Sequence, residues 1–524
     1  MSYKYAESML QQESYFSSKR GNKMSKRYTD YLDEITADEL YEGLLAHGLF
    51  TEKLPPIFTS ETFYQYSLQL KQPFSKKDHD YVFFESMRDI NIPRAFGIPN
   101  PMAYQRLCAS LRDNWNNILD YFHKQTDADK YKVSRIHIRK RKETKSLFKM
   151  NYKNWRVDGS PVPDILIGKR YSVSADISTC FPSVYTHSLC WALVGKAYSK
   201  EHRAESLWFN ELDHRCMEMK SGETHGLLIG PHASNLLSEI ILTAVDNKLS
   251  QKWGYIRNID DYTCYVESYA KAQQFLTELS AELRRFDLPL NHKKTKIEEL
   301  PVASTKHWVR QLNAFDFSTP YGKVDYKRAQ AYLDAAVALM AENGDNSAIL
   351  NYAIKVLAKK ELTNNAKQYC LKTILHMALI YPYLIPILEE YVFEPFEATT
   401  DIINNFSQIV YTTALEQENY EAIIYVLYYS LKYGFDIQNM DYSSAISKDS
   451  CLYKLLTLLY YEQRKDDEAI KALKNHAKSF ADDEFDRNWI FIYEALSFEQ
   501  LADDWKPMKK AAISFIKQEY RSKR

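Results

Sequence analysis

The stretch YSVSADISTCFPSVYTHSL, which begins at Tyr171, has the pattern of a strand that ends in an acid. Apolar or aromatic residues alternate with polar ones up to Ile177, which is typical of a half-buried β-strand. The polar face ends at Asp176, and the aromatic residue Phe181 follows five positions later, directly before Pro182. The pattern predicts a carboxylate at the end of a buried strand, with a bulky ring just beyond it.

Two later segments offer that carboxylate partners. In GPHASNLLSEIILTAVDNKL, Gly230 and Pro231 fit a turn that opens a helix with proline at its first position. In WGYIRNIDDYTCYVES, two β-prone runs flank Asp260 and Asp261, so we expect the pair at the tip of a hairpin. Taken alone, the first segment predicts only a core helix, and the second only ordinary turn chemistry.

Carboxylates at the ends of neighbouring strands could converge on one point. Such a cluster repels itself unless a cation neutralises it, and hard oxygen ligands select Mg²⁺ or Mn²⁺. Two such ions would activate a hydroxyl, orient a triphosphate and stabilise the departing pyrophosphate. Asp176, Asp260 and Asp261 therefore indicate a site for metal-dependent phosphoryl chemistry.

Taken in order, the acid with its following aromatic, the Gly-Pro helix and the Asp-Asp hairpin resemble the palm of a reverse transcriptase. LNHKKTKIEELP, which begins at Leu290, resembles the next element, in which a lysine lies near the triphosphate. The wording FGIPNP, IHIRKRK, DISTCFPSVYTHS, GPHASNLLSE and LNHKKT is similar, more narrowly, to the abortive-infection (Abi) reverse transcriptases of bacterial phage defence. This resemblance covers roughly residues 90 to 305.

The resemblance implies a role for each matched residue. The metal ligands would be Asp176, Ile177, Asp260 and Asp261. The catalytic residues would be the same three aspartates and Lys294. The residues that bind the incoming nucleotide would be Arg135, Arg139, Lys140, Phe181 and Gly230. Phe181 would be a steric gate that leaves no room for a 2′-hydroxyl, so the enzyme should prefer deoxynucleotides (dNTPs).

The basic stretch between Lys130 and Arg156 supports this expectation only in part. It holds eleven Lys and Arg against the single acid Glu143, although the whole chain has 68 basic and 68 acidic residues. A solvated charged face is one interpretation. A groove for phosphates is the other, because apolar residues interrupt the charges as in a structured segment.

After about Asp325 apolar residues recur at helical spacing, in YKRAQAYLDAAVALMAEN, NSAILNYAIKVLAKKE, AKQYCLKTILHMALIYP and YEAIIYVLYYSLKYGF. They come in pairs at roughly forty residues, which is typical of helical-repeat solenoids. We therefore predict an α+β fold with reverse-transcriptase-like palm and fingers in residues 1–320. An all-α, HEAT-like repeat domain in residues 321–524 would replace the thumb.

Two features depart from ordinary reverse transcriptases. The position two before Asp260 is usually Tyr and is Asn258 here, which predicts unusual primer geometry. No compact thumb is recognisable, which is expected of the Abi group, since that group resembles a polymerase core fused to α-helical repeats. The group is associated with untemplated DNA synthesis from a protein hydroxyl, within homo-oligomers. The resemblance thus implies dNTP substrates, DNA covalently attached to the protein, and a trimer or hexamer.

Three functions remain open at this point. The first is untemplated, protein-primed DNA synthesis in phage defence. The second is template-directed synthesis on RNA, and the third is a helical scaffold whose core binds nucleotides without catalysis. For the first, the basic arm KRGNKMSKRYTDY offers Tyr28 and then Tyr31 as priming residues, although the arm could equally be a disordered, solubilising tail.

Other classes fit less well. The chain has neither GxxxxGK[ST] nor GxGxxG, which argues against P-loop and Rossmann folds. Asp213, His214, Cys216 and His225 are too irregularly spaced to predict a zinc site. The seven scattered cysteines, the polar N-terminus and the short apolar runs predict a reduced, soluble, cytoplasmic protein with no membrane partner. A bacterial source is implied by the resemblance alone.

Overall fold

The computed structural model describes residues 26–89, 92–135, 137–140, 145–149, 159–319, 322–480 and 484–521. Most of the predicted N-terminal arm and part of the basic stretch lie outside these ranges. Within them, helices surround a four-stranded antiparallel sheet, so the expected mixture of helix and sheet is confirmed.

The N-terminal region is mainly helical and carries two short hairpins. Its helices are α1 (Tyr28–Leu32), α2 (Ala37–Leu45), α3 (Glu61–Ser67), α4 (Pro101–Asp113), α5 (Trp115–Thr126) and α6 (Val162–Leu166). Its antiparallel strand pairs are β1 (Tyr81–Asp89) with β2 (Ile92–Pro99), and β3 (His137–Ile138) with β4 (Phe148–Lys149). The FGIPNP wording thus ends β2 and opens α4, where the Asn100 side chain accepts hydrogen bonds from the first backbone amides of the helix.

The central sheet carries the expected strand and hairpin. Its strands are β5 (Tyr171–Asp176), β6 (Tyr255–Asn258), β7 (Asp261–Val266) and β8 (Lys296–Glu299), in the order β6-β7-β5-β8. Val173 and Ala175 of β5 are buried, as the alternation predicts. The register pairs the last residue of β5 with the first of β7, so both strands deliver an acid to the same end of the sheet.

Helices cover this sheet and continue the chain around it. They are α7 (Cys180–Ser183), α8 (Ser188–Val194), α9 (Lys196–Glu201), α10 (Trp208–Glu218), α11 (His232–Leu249), α12 (Tyr269–Arg284) and α13 (His307–Ala314). Helix α12 packs on β5 and β7, and α11 packs between α12 and α5. Pro231 precedes α11 as its N-cap, so the prediction that it is the first helical residue is wrong by one position.

Beyond residue 322 the described chain is helical. The α-helices are α14 (Tyr326–Glu342), α15 (Ala348–Leu357), α16 (Asn364–Ile380), α17 (Thr400–Glu416), α18 (Tyr420–Tyr433), α19 (Tyr442–Ser447), α20 (Cys451–Arg464), α21 (Asp467–Ser479), α22 (Trp489–Ala495) and α23 (Trp505–Lys510). Short 3₁₀ or π turns lie at Pro382–Ile387, Glu389–Phe393, Asp486–Asn488 and Gln518–Tyr520. The four quoted helical patterns correspond to α14, α15, α16 and α18. A HEAT-like repeat stays a prediction, because helix lengths vary from 6 to 17 residues.

The end of the described chain returns to the N-terminal region. The Thr59 amide donates to the Phe515 carbonyl at 2.9 Å, and the Lys517 amide donates to the Ile57 carbonyl at 2.9 Å. Helices α18, α20 and α22 pack against β1. One continuous hydrophobic cluster crosses residue 320, so the two predicted domains share a core. Across the described ranges, each helix is too short or too polar to cross a bilayer.

Candidate active site

Three carboxylates meet at one end of the central sheet. Asp176 ends β5, and Asp261 begins β7 directly opposite it. Asp260 lies in the two-residue turn between β6 and β7. An oxygen atom of each carboxylate lies within 4.8 Å of the others. We call Asp176, Asp260 and Asp261 the aspartate triad. The structure brings together the three acids that the sequence pattern singles out.

The segment that follows α12 fastens Asp176 on one side. The Asn291 side-chain amide donates to Asp176 Oδ1 at 3.0 Å, and Lys294 Nζ lies 3.0 Å from Asp176 Oδ2. The Asn291 backbone amide donates to the Asp176 carbonyl at 2.7 Å. Both residues belong to the LNHKKT motif, so its lysine lies at the triad.

Ile177 connects the two strands of the site through its backbone. Its amide donates to the Asp260 carbonyl at 3.1 Å, and its side chain is buried. A metal ion could therefore use only its carbonyl oxygen. That ligand role stays a prediction.

Asp260 and Asp261 hold their protons more tightly than ordinary carboxyl groups do. Burial, followed by the negative charge of Asp176, raises the pKa of Asp260 to about 6. Burial and the charges of both neighbours raise the pKa of Asp261 to about 8. Since hard oxygen donors favour divalent cations, and such a cation would relieve this repulsion, the triad fits a divalent metal ion.

In the part of the chain that the structure describes, Asp213, His214, Cys216 and His225 do not converge on one point as the triad does. Among the described residues, the only cluster of acidic, histidine and cysteine side chains close enough to share an ion is the aspartate triad. Asp213 is instead hydrogen-bonded to His187 and Cys190, and burial raises the pKa of Cys216 well above its usual range.

A comparison with protein families identifies the part of the chain that builds this site. Residues 136–317 match the family model described as reverse transcriptase (RNA-dependent DNA polymerase). The chain contains a reverse transcriptase domain. It is therefore a DNA nucleotidyltransferase, and reverse transcriptase domains generally use divalent metal ions and bind nucleotides and nucleic acid. The match covers about a third of the chain and includes the whole triad.

Comparisons with curated proteins and with solved structures add little to this family match. No curated protein matches the chain. Among solved structures, apo telomerase from Candida tropicalis aligns with 71% of this chain and 73% of its own, at 12% identity and a TM-score of 0.33. Telomerase from Candida albicans, in complex with a fragment of telomeric RNA, aligns with 66% of this chain and 64% of its own, at 11% identity and a TM-score of 0.28.

Gly230 lies in the loop that precedes α11, and Phe181 lies next to that loop. Phe181 is half-buried on α7, and its carbonyl accepts a hydrogen bond from the Leu227 amide at 2.8 Å. Gly230 has a φ of +134°, and a Cβ there would lie 3.1 Å from the Gly97 carbonyl. This backbone conformation and the close approach explain why glycine stands at 230. Their contacts with nucleotide stay predictions.

The predicted basic contacts are engaged within the protein. Arg135 is buried and donates to the Gly159 carbonyl at 3.0 Å. Arg139 is buried with its guanidinium 5.5 Å from the centre of the Tyr31 ring. Lys140 pairs with Glu39 at 2.7 Å. A nucleotide-binding role for these three side chains stays a prediction, and it would require them to exchange these partners.

The priming candidates do not lie on an exposed arm. Tyr28 and Tyr31 belong to α1, and both are buried. The Tyr28 hydroxyl donates to Glu239 at 2.8 Å, and burial raises its pKa well above the usual range. Helix α1 packs against α5, and both rings are buried in this arrangement. Their priming role stays a prediction.

Sequence reasoning missed three residues that act on the triad. Burial raises the pKa of Asp260, and the positive charge of Arg94, on β2, partly opposes this rise; the charge of Lys306 attracts Asp261. Asn291 holds Asp176 directly. Asn291 could have been found, since it stands within LNHKKT. Arg94 and Lys306 carry no local signal, because only the fold brings their segments to the sheet end.

Proposed function

We propose that this chain is an Abi-type DNA polymerase that synthesises DNA without a template and starts it from a hydroxyl of its own chain. The aspartate triad carries the polymerase part of this proposal. Its oxygen atoms converge within 4.8 Å at the end of a paired strand and hairpin, which is the donor set that nucleotidyl transfer requires.

Each side chain of the site then has a definite task. A divalent ion held by the triad would supply Lewis acidity toward the attacking hydroxyl and the phosphates. Lys294 is half-exposed beside Asp176, so its ammonium group can turn from the carboxylate to a phosphate oxygen of the incoming dNTP. Phe181 would lie against the sugar and exclude a 2′-hydroxyl. Asn291 would keep Asp176 oriented when Lys294 leaves it.

The proposal that synthesis needs no template rests on the sequence motifs that resemble Abi reverse transcriptases. The path of the C-terminal helices supports it. These helices follow the reverse transcriptase domain directly, and residues 515–517, which come after them, pair with residues 57–59 of the N-terminal region. An element fastened at both ends is poorly suited to opening around a template–primer duplex. The resemblance to Abi motifs also supports our proposal of a role in phage defence in the bacterial cytoplasm and of a trimer or hexamer, and mass photometry would test the oligomeric state.

Incubation of the purified protein with radiolabelled dNTPs and Mg²⁺, without nucleic acid, tests the proposal. We expect label to migrate with the protein on a denaturing gel, and nuclease to shorten it to a residual adduct. A parallel reaction adds an RNA template with a DNA primer. Label that appears only in that reaction, and in free DNA, would replace the proposal by template-directed synthesis. Asp260→Asn is the control for both reactions.

Mass spectrometry of the nuclease-trimmed, protease-digested protein would then locate the priming residue. Tyr28 is the first candidate and Tyr31 the second, and either requires α1 to leave its place. An adduct on another peptide, with Tyr28→Phe labelling fully, would end this assignment without affecting the polymerase proposal.

A further inference from the structure

A buried ionic network lies behind the catalytic hairpin. Arg257 of β6 is fully buried, and its Nη1 atom lies 3.0 Å from Glu239 Oε2. Its Nε atom donates to Asp246 Oδ2 at 2.7 Å. Glu239 and Asp246 are both buried on α11. We call these three residues the Arg257 network. A buried guanidinium with two carboxylate partners is rigidly held, since each lost contact would leave a charge without its counterion.

The same guanidinium reaches the turn that carries Asp260 of the triad. Arg257 Nη1 donates to the Ile259 carbonyl at 3.0 Å. Ile259 directly precedes Asp260 and has a φ of +56°, in the left-handed region. A β-branched residue rarely adopts this conformation, and two-residue hairpin turns with positive φ favour Asn, Asp or Gly. The turn therefore needs support from outside its own sequence.

The backbone of Arg257 is fixed independently of its side chain. Its amide donates to the Val133 carbonyl at 3.0 Å, and its carbonyl accepts from the Arg135 amide at 2.8 Å. The guanidinium thus connects strand β6 and helix α11 to the strained backbone at Ile259. A shift of that backbone would redirect Asp260, in the turn, and the adjacent Asp261 relative to Asp176.

We propose that Arg257 is a positioning residue for nucleotidyl transfer. Its guanidinium, fixed by Glu239 and Asp246, holds the Ile259 carbonyl and thereby keeps Asp260 and Asp261 within reach of Asp176. The proposal rests on the polymerase site but not on self-priming. A merely structural Arg257 would neutralise its two carboxylates and have no specific effect on the turn.

A double-mutant cycle separates these roles. Arg257→Lys keeps the charge but cannot contact both carboxylates and the turn, so we expect kcat to fall about 10- to 100-fold with the KM for dNTP within about twofold. Ile259→Gly accepts the left-handed conformation without a Cβ penalty. In the Ile259→Gly background, the loss caused by Arg257→Lys should shrink to about threefold or less.

Ile259→Ala is the matched control, because it also shortens the side chain but keeps the Cβ that disfavours positive φ. In that background the loss caused by Arg257→Lys should stay at its full size. Equal losses in the glycine and alanine backgrounds would overturn the proposal. Thermal unfolding of each variant reports whether it is folded.

Mn²⁺ binding, followed by electron paramagnetic resonance, provides a readout that needs no turnover. We expect Arg257→Lys to weaken Mn²⁺ binding about tenfold, and Ile259→Gly to restore most of that loss. If the wild type bound Mn²⁺ but incorporated no nucleotide, the proposed function would fail while this inference could still be judged. Unchanged Mn²⁺ affinity in folded Arg257→Lys would overturn the inference alone.

Glu239→Gln decides the matter if Arg257→Lys does not fold. It is isosteric and leaves one positive charge facing one negative charge, so the interior stays balanced. We expect a three- to tenfold loss in kcat and weaker Mn²⁺ binding, because one of the two anchors of the guanidinium loses its charge. Wild-type values of both would contradict a positioning role.

Discussion

The hairpin β6–β7 separates two groups of acidic side chains that balance their charge in opposite ways. Behind it, the Arg257 network contains its own cation in a fully buried setting. At its tip, the aspartate triad gathers three carboxylates with Lys294 at one edge, 3.0 Å from Asp176. One group balances its charge within the chain, whereas the three carboxylates of the other exceed the single positive charge of Lys294 beside them.

The difference distinguishes a structural ion cluster from a functional one. In the Arg257 network both carboxylates have a guanidinium contact at or below 3.0 Å, and the charge of Arg257 opposes the burial that raises the pKa of Asp246. In the triad the pKa values of Asp260 and Asp261 are raised to about 6 and about 8, because burial and mutual repulsion exceed the help from Lys294. Strain of this kind at a partly accessible cluster is typical of a catalytic site.

The largest expected effect comes from neutralising one acid in each group. Asp260→Asn should lower dNTP incorporation by about 10³-fold or more, since an amide binds a divalent ion poorly and this electrostatic contribution dominates phosphoryl transfer. The metal-free variant should unfold at a higher temperature than the wild type, because a repulsive charge is gone. Filter-binding assays and calorimetry measure the two effects.

Asp246→Asn is the matched change in the Arg257 network, and the sign of its stability effect should be opposite. It removes charge-assisted hydrogen bonds from Arg257. Their loss should lower the free energy of unfolding by about 1–3 kcal/mol. If Asp260→Asn also destabilised the metal-free protein, or kept near-normal turnover, the triad would be a structural cluster too.

The sequence reveals the triad but not the network, because no local pattern indicates that Glu239 and Asp246 of a core helix meet Arg257 of a strand. Asp176 ends an alternating strand and Asp260 and Asp261 lie between two β-prone runs, so local patterns and the family wording place all three. The Tyr28 hydroxyl meets Glu239 across 211 positions. Such a contact depends on how α1, α5 and α11 pack, and packing of this kind leaves no periodic signal.

The C-terminal helices show the same limit on a larger scale. Their periodicity predicts α14, α15, α16 and α18 well, because each helix is defined by its own apolar stripe. The return of the chain from Phe515 to Thr59 is set by tertiary contacts alone. The burial of Tyr28 and Tyr31 also depends on tertiary contacts, since their basic neighbours are typical of an exposed arm whereas both rings pack inward.

Lys294→Ala should have the next largest effect. We expect kcat to fall about 10- to 100-fold, because a positive charge beside the transferred phosphate is lost. Mn²⁺ should bind at least as tightly as in the wild type, since Lys294 no longer competes for Asp176. Steady-state kinetics and Mn²⁺ titration together detect these opposite changes.

Lys293→Ala, at the exposed neighbouring lysine, is the control and should leave both quantities unchanged. Weaker Mn²⁺ binding in Lys294→Ala would mean that this lysine belongs to the fixed frame of the site, as Arg257 does to its network.

Phe181→Ala should alter sugar choice without altering the triad. Removal of the ring opens space for a 2′-hydroxyl, so the preference for dNTPs over ribonucleotides, as a ratio of kcat/KM values, should fall on the order of tenfold. Phe181→Tyr keeps the ring and should keep the preference. Unchanged discrimination in a folded, active Phe181→Ala variant would leave Phe181 with a packing role only.

The smallest effect is the pH dependence of metal-free stability, and it tests the triad without any turnover. The pKa of Asp261 in the folded state, about 8, lies above its ordinary value of 3.8. The folded state therefore binds a proton more tightly than the unfolded state, and stability falls as pH rises from about 4 to about 8. The midpoint of thermal unfolding should decline over this range by more in the wild type than in Asp261→Asn.

The difference between these two proteins is the quantity to measure, because other groups titrate in the same window. Asp129, for example, has a pKa that burial raises to about 6, and it contributes equally to both proteins. Mg²⁺ should raise the wild-type midpoint more at pH 8 than at pH 6, since metal binding requires deprotonated carboxylates. The opposite outcome is that the unfolding midpoints of the wild type and Asp261→Asn change in parallel with pH and do not respond to Mg²⁺. That result would show that the carboxylates of the triad do not repel one another, and the triad would then not differ from the Arg257 network.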